Sequence, residues 1–429
     1  MTGDEVGEAG LKTVMPTLTI AMNAIIIQMF HFSAERQAMS PVNFAQIQLQ
    51  IREMGQLAPR VARERLERVE LARRCLAELA EELDALRSRV AQVVQHAPTL
   101  RCAVPLDQPL TAHLPPAPQL PLHSLLAADG SQINPNAHDP EPFGVINVGV
   151  FIMRPGLGDA PREVVRSRLL CQEALYNRRG HLLSEEVVAL RRDLSERQEL
   201  LELARNQPAP VLTLTDGPLE LFREPREDED FRQPFADYLH VLQELAEAGV
   251  MTAGYVDKPR ADLVVRLLEL TLLPQDALSR AGVDRPLRGV GDTDLFWPLL
   301  APGERTAVFA IQSGLSNRFT DRLALHFFYL NVGSAAHPWL ARVEIPAWMA
   351  VQPQLLDLLQ AALLWQCRQM GGRPYPYALQ RAHEVAVVRL EEKQQLEEMI
   401  LAELRRQGLM VGERSHKQSG KDLLSKRHR

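Results

Sequence analysis

The chain has few cysteines, and none of them are clustered. Four occur in 429 residues, at Cys75, Cys102, Cys171 and Cys367. A zinc ribbon or a redox pair needs two cysteines a few residues apart, and the sequence has no C-x-x-C spacing. Disulfide frameworks typical of small secreted proteins are equally absent. The cysteine content therefore predicts reduced thiols in a cytoplasmic protein.

The sequence also lacks a nucleotide-binding loop and an excess of basic residues. It has no G-x-x-x-x-G-K-[ST] motif, and the pair Gly156 and Gly158 lacks the third glycine of a dinucleotide loop. These absences argue against an ATPase. The formal net charge is −6, so no overall basic character indicates nucleic acid, although a local basic patch would not show in this sum.

One long uncharged run lies near the N-terminus. Residues 15–33 carry no charged side chain and are nearly long enough to span a bilayer. Asn23, Gln28 and His31 interrupt the run, and its preceding flank is acidic, which argues against a membrane anchor or a signal peptide. A pattern of apolar and polar residues that is typical of a soluble protein begins at Met39. We therefore predict that the residues before it are a dispensable extension, domain 1–38, and we expect no membrane.

Length and composition predict several parts in the rest of the chain. At 429 residues the chain is longer than a domain built on a single hydrophobic core usually is. Apolar residues spaced by threes and fours predict a helical arm over 39–96, used for packing or dimerisation. Repeated prolines predict a linker over 97–122. The main domain is then expected over 123–409, and a basic flexible tail over 410–429.

After the proline-rich segment, apolar runs alternate with amphipathic patterns, which is typical of an α/β domain. Among the predicted helices are 162–178, 184–206, 231–248, 261–272 and a long one at 378–407. The predicted strands are 125–128, 144–153, 211–215, 251–256, 305–312, 322–331 and 339–345.

Two Asp-Gly turns, each after a short apolar run, carry the main chemical signal. One places Asp129 after residues 124–128, and the other places Asp216 after residues 211–215. Asp-Gly alone is ordinary turn chemistry. A carboxylate at the end of a buried strand is also how many folds hold a divalent cation over a phosphodiester. Two such turns in the same context favour a metal site shared by Asp129 and Asp216.

The predicted helix between the two aspartates offers a third carboxylate. Glu196 and Glu199 lie one turn apart on it, so either can point inward while the other pairs with a neighbouring arginine. We prefer Glu196, because Leu200 and Leu203 share its face. Oxygen ligands of this kind suit a hard divalent cation.

The order of several short motifs resembles that of the NurA-type nucleases over about residues 39–409. No single motif is specific to the family. The resemblance rests on the order of the motifs along the chain and on their positions relative to the predicted strands and helices. The motifs are Ala128-Asp129-Gly130-Ser131, Leu212-Thr-Leu-Thr-Asp216-Gly-Pro-Leu219, Tyr255-Val-Asp-Lys258, Asp292-Thr-Asp294, Arg342-Val-Glu344 and Tyr375-Pro-Tyr-Ala-Leu-Gln-Arg-Ala-His383. Pro218 departs from the family, which more often has serine there, and proline has no N–H to donate to a phosphate.

The resemblance implies an RNase H-like fold, with a central mixed sheet flanked by helices, an N-terminal helical arm and long C-terminal helices. It also implies a homodimer that cleaves DNA with Mn²⁺, with Mg²⁺ as the alternative, as a 5′–3′ exonuclease or a single-strand endonuclease. The implied partner is a HerA-type hexameric ATPase, which would supply the motor in DNA end resection and repair.

The same resemblance adds side chains to the expected site. His383 is implied as a fourth metal ligand or a proton shuttle. Tyr375, with Tyr377 as the competing assignment, would hydrogen-bond a phosphate or a bound water. Lys258 would stabilise the scissile phosphate as a point charge.

Two other functions stay open. A dimeric scaffold or a degenerate nuclease would keep both Asp-Gly turns for structure alone, and a ribonuclease would use the same carboxylates. A metal nuclease of either kind differs from the scaffold, since its metal site requires four side chains to meet near one point. These are Asp129, Asp216, His383 and one of Glu196 and Glu199.

Overall fold

The computed structural model describes residues 42–118, 122–221, 229–315 and 318–410. The predicted extension 1–38 and residues 411–429 of the predicted tail lie outside the described residues. Within the described ranges, no helix combines the length and the apolarity that a bilayer crossing needs.

The chain divides into two compact units, residues 1–67 and residues 68–429. Of the first unit, the structure describes the N-terminal part of helix α1 (Phe44–Glu78). Its apolar side chains, such as Ile51 and Met54, are exposed. The use of this helix for packing or dimerisation stays a prediction.

The second unit contains the remaining helices and all the described strands. The helices are α2 (Leu83–His96), α3 (Glu185–Ala204), α4 (Glu229–Glu247), α5 (Leu263–Leu272), α6 (Asp292–Phe296), α7 (Ala347–Ala350), α8 (Pro353–Arg368), α9 (Tyr377–Ala386) and α10 (Leu390–Arg406). The strands are β1 (Cys102–Pro105), β2 (His113–Leu114), β3 (Ser124–Ile133), β4 (Gly144–Met153), β5 (Arg162–Leu170), β6 (Val211–Asp216), β7 (Met251–Asp257), β8 (Arg305–Thr306), β9 (Phe309–Gln312), β10 (Leu325–Asn331) and β11 (Leu340–Pro346).

The eleven described strands form one mixed sheet. Its order is β1-β9-β10-β11-β7-β6-β3-β4-β5, with β8 pairing β10 and β2 pairing β8. Strands β3, β4 and β5 run antiparallel in sequence order. After helix α3, strand β6 pairs parallel to β3, and β7 then pairs parallel to β6. The order β5-β4-β3-β6-β7 with these directions is that of an RNase H-like sheet, which confirms the predicted fold class.

Strand β3 is covered on both faces. Leu126 and Ala128 belong to a core that includes side chains of α3, α4 and α5, whereas Leu125 and Ala127 belong to a second core with side chains of α8 and α9. A strand buried on both faces reads as a continuous apolar run rather than an alternating one. The run ends where Asp129 begins the polar part of the strand.

Residues 162–178, predicted to be a helix, instead begin with strand β5. This strand pairs along its whole length with β4, from Arg162 opposite Ile152 to Leu170 opposite Gly144. It is the last strand of the sheet, and most of its residues are exposed. Charged side chains on an edge strand hinder pairing with another chain. Their mixture with valine and leucine also resembles an amphipathic helix, which explains the wrong prediction.

The described residues of the proline-rich segment 97–122 contribute two short strands to the sheet, so the predicted linker is wrong for this part of the chain. Strand β1 pairs with β9 at the sheet edge, and β2 pairs with β8. Pro105 ends β1, where the missing N–H costs least because the strand is at an edge. The predicted strand 305–312 is in turn divided into β8 and β9.

Candidate active site

Asp129 lies inside strand β3, so the predicted turn at this position is wrong. Strand β4 pairs with β3 as far as Ile133 and places Gly149 opposite Asp129. The parallel pairing on the other side ends earlier, at Ala128 opposite Thr215. Asp129 is therefore the first residue of β3 beyond the paired part of β6.

Asp216 ends strand β6 next to this position, and here the predicted turn is present. Gly217 has a φ of +92°, a backbone conformation that favours glycine, and its N–H donates to the carbonyl of Tyr255 at 2.8 Å. A Cβ at Gly254 would lie 2.5 Å from the carbonyl oxygen of Gly217. The turn after Asp216 is thus held closely against β7.

Glu196 is the glutamate that helix α3 turns toward Asp129. Its side chain is buried, and a Cβ at Gly130 would lie 2.5 Å from its Oε1. Glu199, one turn later, has its Oε2 at 3.6 Å from Nε of Arg166 on β5. The structure places Glu196, and not Glu199, beside the aspartates.

His383 approaches Asp129 from helix α9. Its Nδ1 lies 2.7 Å from Oδ2 of Asp129, and its side chain is 55% exposed. The close approach depends on Gly149, where a Cβ would lie 2.7 Å from the carbonyl oxygen of Ala382. When Nδ1–H donates to Asp129, Nε2 is left as an acceptor for a cation or a proton.

Side chains of β3 and β4 fix the end of helix α9. Asn147 Nδ2 donates to the carbonyl of Ala386 at 2.8 Å, and Ser131 Oγ donates to the same carbonyl at 2.5 Å. Ser131 Oγ also accepts from the N–H of Val388 at 3.1 Å. These bonds take the place of helical ones, so the single helix predicted over 378–407 is divided into α9 and α10.

Tyr375 joins the site through Asp216, to which its hydroxyl donates a hydrogen bond. Its ring packs edge-on against Tyr255, with the ring centres 5.6 Å apart. Tyr377, the competing assignment, packs edge-on against Phe151 at 5.7 Å. The structure therefore brings Tyr375 to the carboxylates and uses Tyr377 for packing.

Lys258 is not brought to this group. The backbone turns at Lys258, where φ is +42°, and its ammonium lies 3.9 Å from the centre of the Trp339 ring. It lines a separate cavity with Arg73 and Trp297. The sequence motif correctly predicted that Lys258 follows a strand. It could not predict that the turn directs this side chain toward Trp339.

Arg192 takes part in the site, a role that none of the sequence motifs indicates. Its Nε lies 3.4 Å from Oε1 of Glu196, and its Nη2 lies 2.6 Å from Oδ1 of Asp193. The spacing of four residues between Arg192 and Glu196 was the available signal, because such residues are neighbours on a helix. Arg192 is a cation beside otherwise acidic side chains.

The acids of this group disfavour one another's ionised forms. Burial, followed by repulsion from Asp193 and Asp129, raises the pKa of Glu196 well above its ordinary value, and Arg192 opposes this shift. Burial also raises the pKa of Asp216, and Asp129 adds to the effect. A divalent cation would stabilise the ionised forms of such a cluster.

The donor set suits a hard divalent cation such as Mn²⁺ or Mg²⁺, since it combines three carboxylates with one imidazole. In the part of the chain that the structure describes, no three His, Cys, Asp or Glu side chains are already arranged as ligands around one point. Asp129 is engaged with His383, and Glu196 with Arg192. Binding a cation through Oδ2 of Asp129 or Oε1 of Glu196 would therefore require these contacts to change.

A cavity of about 280 Å³ opens beside Glu196 and Asp216. Arg197 and Pro218 also line it, and Arg197 is buried and hydrogen-bonded to Thr215 and Thr252. The cavity offers room for a substrate group directly next to the acids.

Comparison with known protein families finds a domain match over most of the chain. A NurA domain spans residues 123–388, more than half of the chain and all of the carboxylate and histidine residues described above. No curated protein sequence matches the chain.

Among solved structures, the NurA nuclease from Sulfolobus solfataricus is similar at 10% identity, with a TM-score of 0.45, over 66% of this chain and 85% of that one. Human ENDOV is similar at 14% identity, with a TM-score of 0.31, over 64% and 86%. Endonuclease V of Ciona intestinalis, in complex with DNA, is similar at 9% identity, with a TM-score of 0.28, over 65% and 87%. On the extent of the domain match, the chain belongs to the NurA family of nucleases.

Proposed function

We propose that this chain is a metal-dependent deoxyribonuclease, acting as a 5′–3′ exonuclease or a single-strand endonuclease. One observation supports the proposal: β3, α3, β6 and α9 carry Asp129, Glu196, Asp216 and His383 to neighbouring positions, where Asp129 contacts His383 and repels the charges of Glu196 and Asp216. A scaffold gains nothing from gathering three acids whose charges repel, whereas phosphodiester hydrolysis needs such a group.

Each side chain has a role in this proposal. Asp129, Glu196 and Asp216 would hold Mn²⁺ or Mg²⁺, which would neutralise charge on the phosphate and help to deprotonate water. His383 keeps Nε2 free to exchange a proton with the reacting groups, because Nδ1 is fixed by Asp129. Tyr375 orients Asp216 through its hydroxyl.

We further infer that the nuclease acts as a homodimer in DNA end resection with a HerA-type hexameric ATPase, in the cytoplasm. Two observations support this: the chain belongs to the NurA family, and its sequence has no phosphate-binding loop of its own. Co-elution of the chain with such an ATPase in size-exclusion chromatography would support the pairing. Separate elution at low salt would count against it.

The experiment for the nuclease itself is cleavage of end-labelled single- and double-stranded DNA with Mn²⁺, Mg²⁺ or EDTA. Asp129→Asn and Asp216→Asn should remove activity while the protein stays folded. An RNA of the same sequence tests the ribonuclease alternative in the same assay. If no ion supports cleavage, with or without the ATPase, the scaffold interpretation replaces this proposal.

One observation favours a degenerate nuclease as the second candidate. The Arg192 guanidinium lies against Glu196, close to where a cation would have to bind. Titration calorimetry with Mn²⁺ separates the two, since a degenerate site would bind no ion and an active one would lose binding in Asp216→Asn.

A further inference from the structure

We propose that a second cavity, named here the tryptophan cavity, binds unpaired bases of the strand that the nuclease cleaves. The proposal rests on the proposed nuclease function and extends it to a substrate-binding subsite. The cavity has a volume of about 620 Å³ and is lined by Arg73, Lys258, Asp294, Trp297, Pro338 and Trp339, among others.

Two indole rings give the tryptophan cavity its character. Trp297 is 49% exposed, although large aromatic side chains are usually well buried. Trp339 is half-buried, and its Nε1–H donates to Oδ1 of Asp257 at 2.6 Å. This bond fixes the orientation of the Trp339 ring. The cavity thus presents one anchored ring and one that is open to solvent.

Two cations accompany the rings. The Lys258 ammonium lies 3.9 Å from the centre of the Trp339 ring. The Arg73 guanidinium donates to the carbonyl of Asp294 at 3.0 and 2.8 Å, which holds it at the cavity wall. The Asp294 carboxylate accepts from the N–H of Gly291 at the start of α6. Aromatic faces next to cations are how proteins bind single strands without reading their sequence.

The tryptophan cavity lies at the same end of the sheet as the acids. Strands β6 and β7 are parallel, with Asp216 opposite Tyr255, so Lys258 follows β7 at that end. Strand β11 is antiparallel to β7, with Ala341 opposite Asp257, so Trp339 comes just before β11 at that end too. Neighbouring strands are about 4.8 Å apart, which puts β11 about 10 Å from β6. A single strand covers such a distance in roughly two or three nucleotides.

Unpaired bases are the ligand that this chemistry selects. A base can stack on an indole only when its face is exposed, and in a duplex both faces are covered by neighbours. The phosphates of the same strand would meet Lys258 and Arg73. The tryptophan cavity therefore holds the strand by base faces, and the acids then receive the phosphate a short way along it.

The test measures binding of a short fluorescent oligo(dT) by fluorescence anisotropy. EDTA is present so that no cleavage takes place. A second oligonucleotide of equal length has abasic residues in place of the bases and keeps every phosphate. Trp297→Ala should weaken binding of oligo(dT) roughly 5- to 100-fold and leave binding of the abasic strand unchanged. Trp297→Phe should restore most of the affinity, and Val283→Ala, at another exposed apolar side chain, should bind like the wild type.

Lys258→Gln supplies a contrasting variant. It should weaken both oligonucleotides alike and lower the dependence of affinity on salt, because it removes a phosphate contact. The inference is overturned if the wild type binds neither strand, if Trp297→Ala binds oligo(dT) like the wild type, or if the abasic strand shows the same loss. A protein that cleaves DNA yet ignores Trp297→Ala would refute the subsite and leave the nuclease standing. Base-dependent binding without cleavage under any ion would support the subsite and refute the nuclease function.

Discussion

Gly149 shows how a single residue sets the distance between His383 and Asp129. It lies opposite Asp129 in the sheet, and a Cβ there would lie 2.7 Å from the backbone of α9 at Ala382. Any larger side chain must push α9 away from β4, and His383 moves with it. Gly149 is thus part of the site because it has no Cβ, although it carries no functional group.

We expect Gly149→Val to lower DNA cleavage by on the order of 100-fold, because a displacement of about 1 Å at a reacting group has an effect of this size. The overpacking itself should cost about 1–3 kcal/mol of folding free energy. Cleavage rates and thermal unfolding measure the two effects. Gly282→Ala is the control, since a Cβ there meets nothing within 4 Å. Full activity in Gly149→Val would show that the position of His383 does not matter.

Glu196 and Glu199 give a matched pair on one helix. Glu196→Gln should reduce cleavage by roughly 10- to 100-fold or more, as the loss of a ligand weakens metal binding at least as much as the loss of a supporting contact does. Glu199→Gln should stay within about twofold of the wild type, since the Glu199 carboxylate faces Arg166 on β5 rather than the aspartates. The rate of cleavage at saturating Mn²⁺ and its dependence on Mn²⁺ concentration distinguish them. The opposite order would reverse the assignment.

At the scale of elements, the local sequence pattern predicted those helices and strands whose conformation depends mainly on contacts within the segment. The buried runs that became β4, β6 and β7 and the amphipathic pattern of α3 were found at nearly the right limits. The errors lie where a distant element decides. β5 is a strand because β4 offers it a partner, and α9 ends at Ala386 because Ser131 and Asn147 bind its last carbonyl. The apolar periodicity within a segment could predict neither the pairing of β5 with β4 nor the end of α9.

Asp292 connects three elements at a distance from the active site. Its carboxylate accepts from the N–H groups of Val264 and Val265 at the start of α5, at 3.1 and 2.9 Å, and from the hydroxyl of Tyr329 on β10 at 2.7 Å. Complete burial is the main reason that the pKa of Asp292 is raised to about 6. The folded protein therefore holds this proton more tightly than the unfolded chain does. The resulting stabilisation is present at low pH and is lost as pH rises from about 4 to about 6.

We expect Asp292→Asn to lower the free energy of unfolding by about 1–3 kcal/mol near pH 5, because its amide group faces a backbone N–H and leaves a donor unpaired. The difference from the wild type should narrow near neutral pH, where the wild type has lost its own contribution. Urea unfolding at the two pH values measures both. A difference that widens as pH rises would contradict the direction of the pKa shift.

At the scale of the whole molecule, the site joins residues that are far apart in sequence. Asp129 and Asp216 could be predicted together because both follow apolar runs, and these runs became adjacent strands. His383 could be predicted only by resemblance to a family, since nothing near it in the sequence points to β3. Arg192 and the tryptophan cavity depend on how α3 and the ends of β7 and β11 lie, which no motif records.

The repulsion among the acids leads to a prediction for the stability of the whole fold. Burial raises the pKa of Asp216, so its ionised form opposes folding at neutral pH. Asp216→Asn removes that charge and keeps an oxygen for the Tyr375 hydroxyl. In EDTA the variant should therefore unfold at a temperature equal to or above that of the wild type.

Mn²⁺ should reverse this order. A cation that binds only the folded protein stabilises it by about 2.7 kcal/mol at one hundred times its dissociation constant, and the variant has lost a ligand. The wild type should then gain several degrees in Tm, while Asp216→Asn gains little. Thermal unfolding in EDTA and in Mn²⁺ tests both statements without any DNA present. If the wild type is the more stable protein in EDTA and gains nothing from Mn²⁺, the acids serve the fold, because a cluster kept for catalysis weakens the protein until its cation arrives.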